Sequence, residues 1–159
     1  MITVTFYISR EFACPEQKLR KLVRAICGRF GLANATVGIA VVDNRYIRKL
    51  NEKFLRRKAV TDCLAFDLSQ PDDEHRLFEL IVNGQKAKSE AAKRRHSAQA
   101  ELALYITHGL LHNLGLDDHR PAQARKMHRL EDEILKQQGF GPVYDKKNIL
   151  LSNKRRKKC

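Results

Sequence analysis

Residues 35–42, Ala-Thr-Val-Gly-Ile-Ala-Val-Val, constrain the fold more than any other segment because they are apolar at nearly every position. A strand with one solvated face alternates apolar and polar residues, so a continuous apolar run predicts a strand buried in the centre of a sheet. Three further segments rich in β-branched, aromatic and aliphatic residues also predict strands: residues 2–8, 61–66 and 78–82.

Apolar residues at helical spacing predict five helices between and after these strands. The first begins near Pro15, and Asp43 is placed to cap the second. A charged segment, 86–95, predicts the third, Ser97 is placed to cap the fourth, and Pro121 opens the last. We therefore expect an α+β (α/β-like) fold, with one mixed sheet of about four strands packed with about five helices.

A length of 159 residues with 43% hydrophobic residues indicates a single domain with a real core. We place that domain at 1–145, followed by a basic, flexible tail over 146–159. No secretion signal and no membrane-spanning apolar run is recognisable. The four cysteines are scattered without a Cys-x-x-Cys pair, which indicates reduced thiols and a cytoplasmic protein without a membrane partner.

The balance of charge is strongly basic, with 31 Lys and Arg against 18 Asp and Glu and a formal net charge of +13. Such an excess favours a polyanionic partner, of which nucleic acid is the commonest. A basic surface kept only for solubility is the alternative. The run from Lys154 to Lys158 has the same two interpretations: docking on RNA phosphates, or a tail without a binding role.

The strongest indication of chemistry is the segment 108–119, His-Gly-Leu-Leu-His-Asn-Leu-Gly-Leu-Asp-Asp-His. His108 and His112 are four residues apart, so on a helix they lie on one face and one turn from each other. Gly115 suits the left-handed turn that ends a helix, and Asp117, Asp118 or His119 follows it as a third ligand. Two nitrogens and a third donor, with a fourth position left for water, are typical of a catalytic zinc site. The segment predicts a metal hydrolase, against the alternative of ordinary residues on an amphipathic helix.

Two competing functions use the same motif. Zinc peptidases of the His-Glu-x-x-His type use that Glu as general base, but Gly109 occupies the position here, and Glu101 is nearly two turns earlier. A non-catalytic ribosome-binding module with a structural zinc normally has four protein ligands, often Cys. No cysteine lies near the motif. The metallopeptidase and the zinc-containing module are therefore kept as alternatives to a nuclease.

Several segments together resemble the YbeY-type endoribonucleases, the rRNA maturation factors. Leu50-Asn51 with Phe54 and the strand 61–66 are similar to that family's motifs, as are His96-Ser97 and Glu101-Leu102. His108-Gly109-x-Leu111-His112, followed by Gly115, matches its His-Gly-x-Leu-His and glycine. The resemblance implies a single-strand-specific endoribonuclease with one Zn²⁺ per chain. It also implies a cytoplasmic protein that matures the 3′ end of small-subunit rRNA, acts in ribosome quality control and binds the small ribosomal subunit.

The sequence departs from the family at two places that concern the site. The family's third ligand, three residues after the glycine, is usually a histidine, although relatives with Asp exist, and this chain has Asp118 there and His119 one position later. We expect the metal ligands to be His108, His112 and Asp118, with His119 as the alternative, and His108 also to be catalytic. The family's arginine after the aromatic residue is replaced by Leu55. Arg56, or alternatively Arg57, is then the candidate catalytic arginine, and Arg56, Arg57 and Lys58 are candidate RNA contacts.

Overall fold

The computed structural model describes residues 1–144, so the predicted basic tail over 146–159 lies outside the described residues. Within these residues, four strands and five helices follow one another, with helices alone after the fourth strand. They are β1 (Ile2–Ile8), α1 (Glu16–Arg29), β2 (Ala35–Val42), α2 (Asn44–Leu55), β3 (Cys63–Asp67), β4 (Arg76–Asn83), α3 (Gly84–Arg94), α4 (Ala98–Asn113) and α5 (Pro121–Gln137).

The four strands form one mixed sheet in the order β1-β2-β4-β3. β2 pairs in parallel with β1 and β4, whereas β3 and β4 are antiparallel. The apolar run 35–42 is therefore an interior strand, and most of its residues are buried, as predicted. The α+β fold with one mixed sheet and five helices is confirmed.

The ends of several elements differ from the predicted ends for local reasons. β3 begins at Cys63 instead of Thr61, because the side chain of Asp62 accepts a hydrogen bond from the N–H of Cys63 at 2.7 Å. α3 begins two residues early, at Gly84, because the side chain of Asn83 caps it by accepting from the N–H of Lys86 at 2.9 Å. The predicted caps Asp43 and Ser97 are both observed.

α4 is the helix on which the rest of the domain packs. It contacts β3, β4, α1, α3 and α5, and every residue from Ala100 to Thr107 is buried. Gly109 lets α4 approach the sheet, because a Cβ there would lie 2.6 Å from Sγ of Cys63 and 3.1 Å from Leu80. The approach places the C-terminal turn of α4 against β3. In the described part of the chain, no helix has both the length and the apolar character needed to cross a bilayer.

Candidate metal centre

The last turn of α4 and the loop after it bring three potential ligands together. Gly115 adopts a left-handed φ of 98°, and the N–H of Leu116 donates to the carbonyl of Leu111 at 3.0 Å, which closes the helix end. The chain then turns back over the helix, so that Asp118 faces His108 and His112.

The spacing of the three side chains suits a tetrahedral metal ion. The Nε2 atoms of His108 and His112 are 3.0 Å apart, and carboxylate oxygens of Asp118 lie 3.5 Å and 3.6 Å from them. Ligands at about 2.0–2.1 Å from a tetrahedral zinc ion are separated from each other by about 3.3 Å. Two imidazoles and a carboxylate are also a donor set that zinc accepts. This His/Asp cluster is able to hold a metal ion.

Both histidines are held with Nε2 directed into the cluster. The Nδ1–H of His112 donates to the carbonyl oxygen of Leu116 at 3.0 Å. Nδ1 of His108 lies 3.3 Å from Oε2 of Glu131, a fully buried residue of α5. A partner on Nδ1 fixes the tautomer in which Nε2 carries the lone pair, as metal-binding histidines require.

Glu131 was missed by the sequence analysis. Its signal is its position on the buried stripe of α5, where Met127, Ile134 and Leu135 are its buried neighbours. A carboxylate on an apolar stripe is expensive to bury unless it has a partner. Such a residue therefore indicates a functional or structural role before the partner is known.

The electrostatics of the cluster favour a positive charge on His108. Burial by itself lowers its pKa, but the adjacent carboxylate of Glu131, with the charges of Asp62 and Asp118, outweighs this and raises the pKa above its ordinary value of 6.5. The same negative charges would stabilise a metal cation bound at Nε2 of His108.

His119 does not join the same group of atoms. Its side chain is 86% exposed and its Nε2 lies 3.4 Å from Oδ1 of Asp117. His119 belongs with Asp117 and Asp118 to a second, more exposed group. Asp118 is common to both groups, and only the first contains the two histidines of α4.

The predicted RNA-binding residues lie in the connection between α2 and β3. Arg56, Arg57 and Lys58 are exposed, and Arg56 caps α2 with a left-handed φ of 52°. No described hydrogen bond or ion pair within residues 1–144 joins them to the His/Asp cluster. The connection ends at Asp62, which lines a cleft of about 300 Å³ beside His108.

A second buried group lies near the start of α4. The carboxylate of Glu101, only 1% exposed, pairs with the guanidinium of Arg94 at 3.0 Å and also with His96. Because Arg94 ends α3 and His96 precedes α4, this group joins the two helices. His96 and Glu101, which carried part of the family resemblance, therefore contact each other and help to hold α3 against α4.

The fold and the cluster together define a candidate metallohydrolase. The Endoribonuclease YbeY family matches residues 7–139, and the chain belongs to this family, as the motifs predicted. An endoribonuclease YbeY of Anaeromyxobacter is 38% identical over 125 residues, covering 78% of this chain and 65% of the relative. One from Carboxydothermus hydrogenoformans is 36% identical, covering 71% of this chain and 76% of the relative. The chain thus spans just under two thirds of the length of the first relative.

The fold also has a solved counterpart. The solution structure of a Thermotoga maritima protein matches with a TM-score of 0.58, covering 91% of this chain and 96% of that one. The two chains are only 20% identical, so this match concerns the fold alone.

Proposed function

We propose that this protein is a zinc-dependent endoribonuclease that cleaves single-stranded RNA. The observation that carries the proposal is the pair of Nε2 atoms of His108 and His112, 3.0 Å apart and facing Asp118. Support also comes from the relatives, which are named endoribonucleases, and from the net charge of +13, which suits a polyanionic substrate.

The residues of the cluster have separate roles in this proposal. His108, His112 and Asp118 hold the ion, one per chain, with His119 as the alternative third ligand. Glu131 and the carbonyl of Leu116 keep the two rings in the binding tautomer. A bound zinc ion supplies Lewis-acid polarisation of a phosphoryl oxygen and a water of lowered pKa. His108, which borders the cleft, is also the proposed catalytic contact.

The packing of Gly109 argues against a peptidase of the His-Glu-x-x-His type. A Cβ at this position would lie 2.6 Å from Sγ of Cys63, so a glutamate cannot replace the glycine without moving α4 from the sheet. The general base of that peptidase class therefore has no place on this helix.

Positioning of the RNA is assigned to the exposed basic residues between α2 and β3. Arg56, or Arg57 beside it, is the proposed contact to the scissile phosphate, and Lys58 adds charge along the strand. The natural substrate is proposed to be the 3′ end of small-subunit rRNA, with binding to the small ribosomal subunit, a part in ribosome quality control and a cytoplasmic location. These finer statements rest on the family.

The test measures zinc content and cleavage of a single-stranded RNA by the wild type, His112→Ala and His75→Ala. We expect about one zinc per wild-type chain, and loss of both zinc and cleavage in His112→Ala. His75 lies just before β4, is exposed and is outside the cluster, so His75→Ala should behave as wild type. Asp118→Ala and His119→Ala then decide the third ligand.

Two outcomes would contradict the proposal. Cleavage of a peptide with RNA left intact would favour a metallopeptidase. Stoichiometric zinc without any cleavage would favour the ribosome-binding module, and the steepness of the salt dependence of RNA binding would then be the next quantity to measure.

A further inference from the structure

Apart from His108, the residues that line the cleft of about 300 Å³ beside the metal centre have no part in the chemistry above. One wall is a face of α3, with Lys86, Glu90 and Arg94 at four-residue spacing, and the other is a face of α4 that includes His108. His108 belongs to both the cleft and the His/Asp cluster. When one group of a substrate is bound at the cluster, the neighbouring group of the same substrate therefore lies at the cleft.

The charges in the cleft are unsuited to a phosphate. Three carboxylates line it, those of Asp62, Glu90 and Glu101, against two cations, Lys86 and Arg94. A phosphate in this space would meet more negative than positive groups. A neutral group with hydrogen-bond donors and acceptors on its edge can use both kinds of side chain.

The remaining lining supplies apolar and aromatic surface. Leu104 and Tyr105 are each 3% exposed, and Tyr144 lies against the ring of His128, with centroids 4.1 Å apart, and under the guanidinium of Arg94. The lining is mainly polar, with two tyrosines and one leucine beside its charged groups, and a volume of about 300 Å³ is at the lower end of the size range of small-molecule sites. One nucleoside suits this space better than a longer piece of the strand.

Lys86 is the lining cation best placed to meet a ligand. Arg94 is already engaged by Glu101 at 3.0 Å. Lys86 is half-buried on the cleft face of α3, and within residues 1–144 its ammonium enters no ion pair. Asp62 likewise uses Oδ1 for the N–H of Cys63, and no described hydrogen bond uses its Oδ2.

We propose that this cleft binds the nucleoside next to the scissile phosphate, with the ammonium of Lys86 donating to an acceptor on its base. The proposal rests on the proposed function, since it takes the substrate to be RNA. It implies that cleavage depends on which base stands at one flanking position, although the metal centre contacts only the phosphate. Asp62 is placed to accept from an amino or hydroxyl group of the same nucleoside.

The experiment uses a single-stranded RNA with one mapped cleavage site and two derivatives, each lacking the base on one side of that site. Binding is measured by fluorescence anisotropy in EDTA, and cleavage is measured with zinc. We expect removal of one of the two bases to weaken binding by wild type roughly tenfold, the size of one charge-assisted hydrogen bond. In Lys86→Ala that penalty should shrink at least threefold.

Lys88→Ala is the matched control, because it removes the same charge from the same helix at an exposed position outside the cleft. It should retain the full penalty. Lys86→Gln repeats the comparison if the alanine variant folds poorly. Equal penalties in wild type, Lys86→Ala and Lys88→Ala, or no penalty at either position, would overturn the proposal.

The binding measurement separates this proposal from the proposed function. RNA that is bound with the expected penalty but never cut would refute the nuclease and leave the cleft assignment standing. RNA that is cut with no base dependence would refute the cleft assignment alone. Absence of any RNA binding would refute both.

Discussion

Glu101 and Glu131 are both almost completely buried, at 1% and 0% exposure, yet their surroundings are opposite. Glu101 has two side-chain partners, the guanidinium of Arg94 and the imidazole of His96. Glu131 faces Nδ1 of His108 at 3.3 Å, and in the described chain neither of its oxygens has a hydrogen-bond partner of good geometry. A buried carboxylate costs free energy unless it is paired.

The difference separates a carboxylate that joins two helices from one that faces a candidate metal ligand. The Glu101 region already has its partners and joins α3 to α4. The carboxylate of Glu131 is still able to accept a hydrogen bond, and a His108 ring that carries its proton on Nδ1 would donate one. Such a ring is the one that offers Nε2 to a metal. We therefore expect mutation of Glu101 to change mainly the stability of the fold, and mutation of Glu131 to change mainly the affinity for metal.

The largest effect is expected from Glu101→Gln on stability. The change leaves the guanidinium of Arg94 without its anion, and we expect the free energy of unfolding to fall by about 3 kcal/mol, at the lower end for a buried pair because Arg94 is partly exposed. Urea unfolding measures this. The control is Glu133→Gln, which breaks the exposed pair with Arg29 and should cost less than about 0.5 kcal/mol. Equal losses of unfolding free energy in the two variants would show that the buried pair of Glu101 contributes no more than an exposed one.

The next effect is expected from Glu131→Gln on metal binding. Loss of the carboxylate behind a histidine ligand typically weakens metal affinity about 10- to 100-fold. Competition with a chromophoric chelator measures zinc affinity directly, and Glu101→Gln serves as the control, with a change of less than about twofold expected. If Glu101→Gln weakens zinc binding as much as Glu131→Gln, the division into two regions fails.

The smallest effect concerns the pH dependence of stability without metal. Because the folded pKa of His108 is raised above 6.5, protonation of His108 stabilises the folded state. This contribution is complete below the unfolded pKa and is lost as the pH rises through the raised folded pKa. Urea unfolding in EDTA from about pH 5 to about pH 8 should show this loss in wild type, and a smaller loss in Glu131→Gln. Identical profiles would show that Glu131 does not hold the proton on His108.

Local signals predicted much of the molecule. The apolar run 35–42 is the interior strand, and the caps Asp43 and Ser97 begin the helices that they were expected to begin. These predictions succeed because they depend on neighbours in the chain: side-chain periodicity and hydrogen bonds over two or three residues. The cap Asn83 was missed, although Asn is a residue type that commonly caps helices, because the charged segment after it lacks an apolar pattern that would mark the start of α3.

His108, His112 and the Gly115 turn were determined by the sequence itself, because a four-residue helical spacing and a left-handed glycine bring ligands together locally. The separation of Asp118 from His119 and the contact of Glu131 with His108 were decided only by the tertiary structure. So were the closeness of Gly109 to Cys63 and the cleft between α3 and α4. The contact of Glu131, the closeness of Gly109 to Cys63 and the cleft join residues far apart in the chain, and they depend on how the helices pack on the sheet. Asp118 and His119 are neighbours in the chain, but which of them faces the histidines depends on the path of the loop after α4, which the residue types alone do not specify.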